Sequence, residues 1–258
     1  MRTVLFASSI TFALASGSAL AADLVPPRAP PPAFSWTGCY IDGGVGYGMW
    51  NQDHFVESSG LATESASTTD GGRGWLGRAG AGCDYQFSPS IVVGAFGDYD
   101  WMGLNGTNNL DLSGTTTGLA GIAGNEKETS AWSVGARVGY LVTPRLLTYF
   151  DGGYTQTTFG QVNYNSGVSG LPTGLSIPST TYHGWFIGGG TEYALSLIPI
   201  QGLFWRNEYR FDSYSSRDIT LVGTTGVLEH ADKYVQTITT GVVWKFNFGG
   251  PAPLVTKD

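Results

Sequence analysis

Two groups of residues in this sequence could do chemistry: ionisable side chains inside apolar segments, and a pair of cysteines. The ionisable set occupies alternate positions and mixes acids with bases: Asp42, Arg78, Asp84, Asp98, Asp100, Arg137, Asp151, Glu192, Arg206, Glu208, Arg210 and Lys245. Opposite charges that share a closed space pair, because each pair lowers the cost of burying its members. We therefore expect a network of ion pairs inside the fold, with a narrow ion path or gate as the alternative.

The cysteines are Cys39 and Cys83. If their segments form neighbouring antiparallel strands with Met49 opposite Trp75, a register shift of two residues would place them directly opposite each other. Opposed strand residues are close enough for a disulfide, which persists where the compartment is oxidising. Two free thiols that act as small apolar residues are the alternative, and the sequence leaves both open.

The positions of the three histidines give little support for a metal site, a cofactor site or a catalytic histidine. His54, His183 and His230 fall in or beside segments rich in Gly, Ser, Thr and Asn, so we expect them on surface loops, without a metal or cofactor. A hydrolase would need a histidine, a hydroxyl and a carboxylate to converge. Since no inward histidine is expected in the middle of a strand, we expect no enzyme.

Composition excludes several classes of protein. The 258 residues carry 13 Lys+Arg against 20 Asp+Glu, a formal net charge of −7, and the aromatic share is 13%. An acidic balance without a basic stripe argues against binding nucleic acid. The aromatic content argues against disorder, and the 39 glycines with many aromatics favour strands over helices.

Apolar residues recur with a period of two in eight segments of about 10–14 residues, a length typical of tilted membrane-spanning strands. The apolar residues that show this period lie within 39–49, 75–87, 91–101, 132–142, 146–154, 185–193, 203–211 and 238–248. The links alternate between short ones at 88–90, 143–145 and 196–199 and long ones at roughly 50–73, 104–128, 160–181 and 212–233. This pattern predicts an all-β fold: an eight-stranded antiparallel transmembrane β-barrel with short periplasmic turns and four long extracellular loops.

The composition of the two strand faces decides which face points outward. A soluble barrel of lipocalin type would bury the apolar face. Here the other face carries Gly, Thr, Asp, Arg and Glu, which are too small and too charged for a dry core. Tryptophans lie at or near the strand ends, as aromatic girdles require: 36, 50, 75, 101, 132, 185 and 244. We therefore expect the apolar face to contact lipid.

The chain divides into four predicted regions. Residues 1–22 resemble a cleavable signal peptide, with a positive start, an apolar core and small residues before the cut. Five prolines make 23–35 an extended periplasmic linker. The transmembrane barrel spans 36–248, and 249–258 form a C-terminal periplasmic tail.

Three segments resemble small alphaproteobacterial outer-membrane β-barrel surface proteins of the opacity-protein-like, porin-family immunogenic type. WTGCYIDGGVGYG at 36–48 resembles their opening strand, GWFIGGGTEYAL at 184–195 their sixth, and GVVWKFNFGGPAP at 241–253 their closing strand. The resemblance implies location in the cell outer membrane and a structural, surface-antigen or adhesin-like role. A small passive pore is the alternative function.

The closing strand carries a further pattern. Thr239, Gly241, Trp244 and Phe246 fit a polar-x-Gly-x-x-aromatic-x-aromatic signal that resembles the one read by the barrel assembly machinery, although this chain continues to Asp258. These residues are alternatively plain girdle residues of a last strand. The expected partners are outer-membrane lipid and lipopolysaccharide, the assembly machinery during insertion and an unidentified extracellular partner of the loops, with no nucleic acid.

Overall fold

The computed structural model describes residues 35–60, 62–115, 118–195 and 202–246, apart from the side chain of Ala120. The predicted signal peptide, nearly all of the predicted linker, the predicted turn at 196–199 and the predicted tail lie outside the described residues. In the described part of the chain, no α-helix reaches the length and hydropathy that a membrane-crossing helix needs.

Most of the described residues lie in strands. Their bounds are β1 Gly38–Ser58, β2 Thr68–Gln86, β3 Ile91–Leu112, β4 Leu119–Thr143, β5 Leu146–Phe159, β6 Val162–Ser166, β7 Pro172–Ile177, β8 Thr180–Ala194, β9 Leu203–Tyr214, β10 Arg217–Thr220 and β11 Val227–Phe246. Within these residues, β1, β2, β3, β4, β5, β8, β9 and β11 pair antiparallel in that order, and β11 pairs with β1 to close the ring. The predicted eight-stranded antiparallel barrel is confirmed.

Two aromatic bands mark the apolar part of the outer surface. Exposed aromatics bound the segments Trp75 to Tyr85 in β2, Trp132 to Tyr140 in β4 and Trp185 to Tyr193 in β8. Between them the outward side chains are small in β2, and exposed valine or isoleucine occurs in β4 and β8. These segments match the roughly 9–11 residues that a tilted strand needs to cross a bilayer. We call the part between the bands the membrane-spanning segment.

The strands extend well beyond the membrane-spanning segment, so the predicted bounds of the long loops are wrong. Strands β1 to β4 and β11 are 19–25 residues long. The β6–β7 hairpin pairs with β4, and β10 pairs with β11, so two of the long connections contain sheet of their own. The barrel therefore projects a β-sheet wall into the extracellular space.

The extracellular half of β1 shows why the sequence pattern did not reveal these strand extensions. Trp50, Gln52 and His54 alternate inward and are buried, while Asn51 and Asp53 are exposed. Above the bilayer the outward face meets water and needs polar side chains. The apolar outward stripe therefore ends there although the strand continues.

Two of the seven tryptophans assigned to girdles are inside the barrel. Trp36 is 0% exposed and packs on Phe204 with ring centroids 4.9 Å apart; Trp50 is 1% exposed and packs on Phe159 at 5.4 Å. Trp50 shares the inward parity of its even-numbered neighbours, while Trp36 precedes β1. The girdle assignment was therefore wrong for both, and Trp205, which is exposed, lies among the girdle residues instead.

These tryptophans belong to apolar clusters at the two ends of the lumen. The periplasmic apolar cluster contains Trp36, Tyr40, Val92, Leu141, Leu147, Tyr149, Phe204 and Val243. The extracellular apolar cluster contains Trp50, Leu76, Leu104, Phe159, Tyr182 and fifteen further residues from β1 to β11 and the connections. The ionisable side chains of the lumen lie among and between these clusters.

Glycine is required where the ring closes. Gly44 of β1 is opposite Gly241 of β11. A Cβ atom at Gly44 would lie 2.5 Å from the carbonyl oxygen of Thr240, and one at Gly241 would lie 2.4 Å from that of Gly43. A side chain at either position would force the two closing strands apart.

Candidate functional site

Cys39 and Cys83 are brought together at the periplasmic end of the first hairpin. They are directly opposite each other across β1 and β2, and a disulfide joins their sulfur atoms. Met49 is opposite Arg73 rather than Trp75. The register is therefore the one shifted by two residues, which the sequence had left open.

The lower ion-pair layer lies toward the periplasmic side of the lumen. Arg137 donates two hydrogen bonds to Asp84, at 2.9 and 2.6 Å, and a third to Glu192 at 2.6 Å. The Nζ atom of Lys245 lies 2.6 Å from Asp84 and 3.1 Å from Glu192. Each buried carboxylate is thus held between cations, which is the condition under which burial of charge is tolerable.

Arg206 completes this layer. Its guanidinium lies 2.6 Å from Glu192 and 3.2 Å from Asp42. The ring of Tyr40 is contacted by two guanidinium groups, Arg137 at 4.8 Å and Arg206 at 4.9 Å from the ring centroid. Cation–π contact adds to the ion pairs, so the layer is packed as well as charge-balanced.

The upper ion-pair layer contains the other two arginines. Arg78 donates two hydrogen bonds to Asp100, both at 2.7 Å, and one to Glu208 at 2.6 Å. Arg210 donates two to Asp98, both at 3.0 Å, and one to Glu208 at 2.9 Å. Two bidentate arginines therefore share a single glutamate, a geometry that fixes every member of the layer.

Asp151 is the exception within the predicted lumen set. It is 8% exposed, and neither of its carboxylate oxygens has a hydrogen-bond partner among the described residues. It lines a cavity with about 10 Å³ available to the centre of a water molecule, which is room for about one water. All twelve predicted lumen residues point inward, and the other eleven pair with members of the same set.

A second polar group in the extracellular wall was missed from the sequence. This extracellular polar cluster contains Gln52, His54, Asn108, Glu126, Glu229 and Lys233. Lys233 lies 2.7 Å from Glu126 and donates to Gln52. Its ammonium group faces the ring of Phe159 at 4.1 Å from the centroid. The inward alternation that continues from Trp50 through Gln52 and His54 is the sequence signal that could have revealed the cluster.

His54 is therefore not a surface-loop residue, and the expectation of no inward histidine in a strand was wrong. It is 0% exposed, with Nδ1 3.0 Å from Glu229 and Nε2 3.3 Å from Asp70. Asn108 donates to Glu229 at 3.0 Å and to Glu126 at 3.2 Å. The extracellular polar cluster links neighbouring strands of the wall above the bilayer, where the outer face of the wall meets water.

Glu128 lies above the aromatic band of β4, between this cluster and the ion-pair layers. It is 0% exposed and accepts a hydrogen bond from Thr157 at 2.7 Å. Burial raises the pKa of Glu128 to about 8. Burial also raises the pKa of Glu126, because loss of hydration outweighs the attraction of Lys233. Burial thus disfavours the ionised form of both Glu126 and Glu128 relative to an exposed carboxyl group.

The four residues of the predicted assembly signal lie on β11, with Thr239 and Gly241 at inward positions and Trp244 and Phe246 at outward positions. Thr239 is buried toward the lumen, Gly241 lies at the ring closure, and Trp244 is exposed on the outer face. Phe246 packs against Trp244 with ring centroids 4.5 Å apart. Their recognition by the assembly machinery stays a prediction from the resemblance.

Comparison with known proteins agrees with this architecture. Residues 9–246 of this chain match the family described as the outer membrane protein beta-barrel domain. The chain is 30% identical over 263 residues to the 31 kDa outer-membrane immunogenic protein of Brucella melitensis, covering 95% of this chain and 100% of that protein. It is 30% identical over 240 residues to the 25 kDa outer-membrane immunogenic protein of Brucella canis, covering 90% and 92%.

Among solved structures, the outer membrane protein OprG from Pseudomonas aeruginosa aligns with a TM-score of 0.52 at 12% identity, covering 82% of this chain and 97% of OprG. At that identity the likeness concerns the fold alone. The family match covers most of the chain, including every strand of the ring. The chain therefore belongs to the outer membrane protein beta-barrel domain family and is located in the cell outer membrane.

Proposed function

We propose that this protein is a closed, non-enzymatic barrel that supports the outer membrane and presents its extracellular wall and loops as a surface antigen or adhesin. The observation that carries the proposal is the ion-paired filling of the lumen. Eleven inward charged side chains bind one another across it, and the cavity beside them has room for about one water. An ion path through this region would require several buried pairs to break at once, which is costly.

The two ends of the lumen support the same conclusion. Trp36, Leu147 and Phe204 are buried at the periplasmic end, and Trp50 and Leu104 are buried above the upper ion-pair layer. Apolar constrictions oppose conduction because an ion would lose its hydration there. The charged layers are therefore enclosed by apolar packing on both sides.

The extracellular wall suits a surface role. Strands such as β3 and β4, with 22 and 25 residues, extend about twice the length needed to cross the bilayer. The polar side chains on the outer face of this wall meet water and whatever approaches the cell. The immunogenic relatives from Brucella support a surface-antigen role, and contact with an unidentified extracellular partner through the loops stays a prediction.

Planar-bilayer recording tests the closed lumen. The wild-type barrel should show no steady conductance, because both ion-pair layers block the path. Replacing Arg78 and Arg210 together with serine removes two large side chains from the upper layer and should produce openings, which shows that the assay detects conduction. Steady wild-type channels would contradict the proposal and favour the passive pore.

Lipopolysaccharide is the partner that the outer surface favours. Asn105 of β3 is opposite Arg73 of β2 on one side and Lys127 of β4 on the other. All three side chains are exposed and outward, just above the band that contains Trp75 and Trp101. Two cations in one row at this height can contact the phosphates of the outer leaflet.

Replacing Arg73 and Lys127 with serine should weaken lipopolysaccharide binding roughly tenfold or more, since each cation near an anionic headgroup contributes about 1 kcal/mol. Titration of detergent-solubilised barrel with lipopolysaccharide, followed by native-gel mobility, measures the change. Serine at Arg145, which is exposed in the turn at the opposite end, is the matched control. Equal binding by the double variant and the control would contradict this contact.

A further inference from the structure

A cluster of metal-ligand types lies on the outer face of the extracellular wall. Glu57, Asp218 and His230 each offer one ligand atom, and these atoms all lie within 4.8 Å of one another. The cluster is separate from the lumen, because neighbouring residues of opposite parity, such as Val56 and Glu229, are the ones that point inward. It is not used by the ion-pair layers or by the proposed closed-barrel role.

The sheet ladder positions the three side chains. His230 of β11 is directly opposite Asp218 of β10 on one side and Phe55 of β1 on the other. Glu57 lies two residues further along β1, which makes it a diagonal neighbour of His230 on the same face. Backbone pairing across three strands therefore fixes the cluster.

Glu57 provides an independent indication of a ligand. Its side chain is 6% exposed, and its buried Oε1 atom has no hydrogen-bond partner among the described residues. A buried carboxylate oxygen without a partner is costly. A cation bound between Glu57, Asp218 and His230 would satisfy it.

The imidazole of His230 is oriented by its neighbours. Its Nδ1 atom lies 2.5 Å from Asp218, and its ring stacks on Phe55 with centroids 4.8 Å apart. Asp232 lies 3.9 Å from Nε2 and adds negative charge near the ring. With Nδ1 on the side of Asp218, the carboxylate near the other ring nitrogen is that of Asp232, and a carboxylate in that position is the usual setting of a metal-binding histidine.

We propose that Glu57, Asp218 and His230 form a Zn²⁺ site. One imidazole nitrogen and two carboxylate oxygens are zinc ligands, at about 2.0–2.2 Å from the metal, and a water fills the fourth tetrahedral position. Ca²⁺ prefers six to eight oxygen ligands and does not suit this set. Small side-chain rotations on the fixed ladder bring the three ligand atoms to one ion.

The bound ion would connect β1, β10 and β11. Strand β10 has four residues and pairs with β11 alone among the described strands. A ligand from each of the three strands would therefore hold β10 against the wall and set the shape of the connection between β9 and β11. The site would thus order part of the extracellular surface.

Calorimetric titration of the untagged full-length barrel in detergent with Zn²⁺ tests the site. One Zn²⁺ per barrel is expected, and Glu57→Gln and His230→Gln should each weaken binding by at least about tenfold, since even loss of an outer-shell partner costs that much. His183→Gln is the control, because His183 is exposed on β8 and pairs with Tyr154. It should bind as the wild type does.

Trypsin cleavage after Arg217 gives a second measurement that does not depend on calorimetry. Zn²⁺ should slow cleavage in the wild type and in His183→Gln but not in His230→Gln, and Ca²⁺ should have no effect. Gel mobility before and after boiling verifies that each variant forms a closed barrel. If Glu57→Gln does not fold, Asp218→Asn takes its place as the second ligand variant. No wild-type binding, or equal binding by the ligand variants, would overturn the proposal.

Discussion

Replacing Arg137 with methionine is expected to lower the free energy of unfolding of the barrel by about 3–5 kcal/mol, the cost of removing one partner from a buried ion pair. Arg137 donates two hydrogen bonds to Asp84 and one to Glu192, and its side chain is 2% exposed. The variant leaves these carboxylates with Lys245 and Arg206 and removes a contact with Tyr40. Urea unfolding in lipid vesicles, followed by tryptophan fluorescence, measures the loss.

Methionine at Arg145 is the matched control, because this arginine is exposed in a short turn and its loss should change stability by less than about 0.5 kcal/mol. Combining Arg137→Met with Asp84→Leu should recover part of the loss, since a buried pair can be exchanged for apolar packing. If Arg137→Met unfolds at the same urea concentration as Arg145→Met, the lower ion-pair layer does not stabilise the barrel.

Removing the disulfide by replacing Cys39 and Cys83 with serine is expected to lower the free energy of unfolding by about 4 kcal/mol in the chain-entropy model. The bond joins residues 44 positions apart, so the unfolded chain gains considerable freedom without it. The same unfolding experiment measures the effect. Reduced wild type should match the double-serine variant.

A thiol assay on the unfolded, unreduced protein separates the bond from other effects of the substitutions. No reactive thiol is expected. Two free thiols per chain would exclude the disulfide, and any change in the double-serine variant would then come from packing between β1 and β2.

The membrane-spanning half of the barrel was predictable residue by residue. Lipid requires an apolar outer face, so the period-two pattern is clean there, and residues such as Arg78, Arg137 and Glu208 were assigned to the lumen from parity alone. The register of β1 and β2 was not predictable to better than two residues, because a shift of two keeps every side chain on its face.

The extracellular wall was less predictable. His54, Glu126 and Lys233 are as buried as the lumen arginines, yet the sequence placed them in loops. Water on the outer face removes the apolar stripe that marks a strand in a membrane. Trp50 was assigned to a girdle for the same reason. The sequence placed it at the end of a strand, and its inward direction became clear only because β1 continues past it.

What the sequence alone determined is the class of barrel, its eight strands and the direction of each side chain between the aromatic bands, since a repeat of two residues and a bilayer leave few alternatives. What the tertiary structure decided is which charges pair. Arg137 meets Asp84 and Glu192 from strands 53 and 55 residues away, across the lumen. Such contacts depend on ring closure and on strand register, and no local pattern in the chain encodes either.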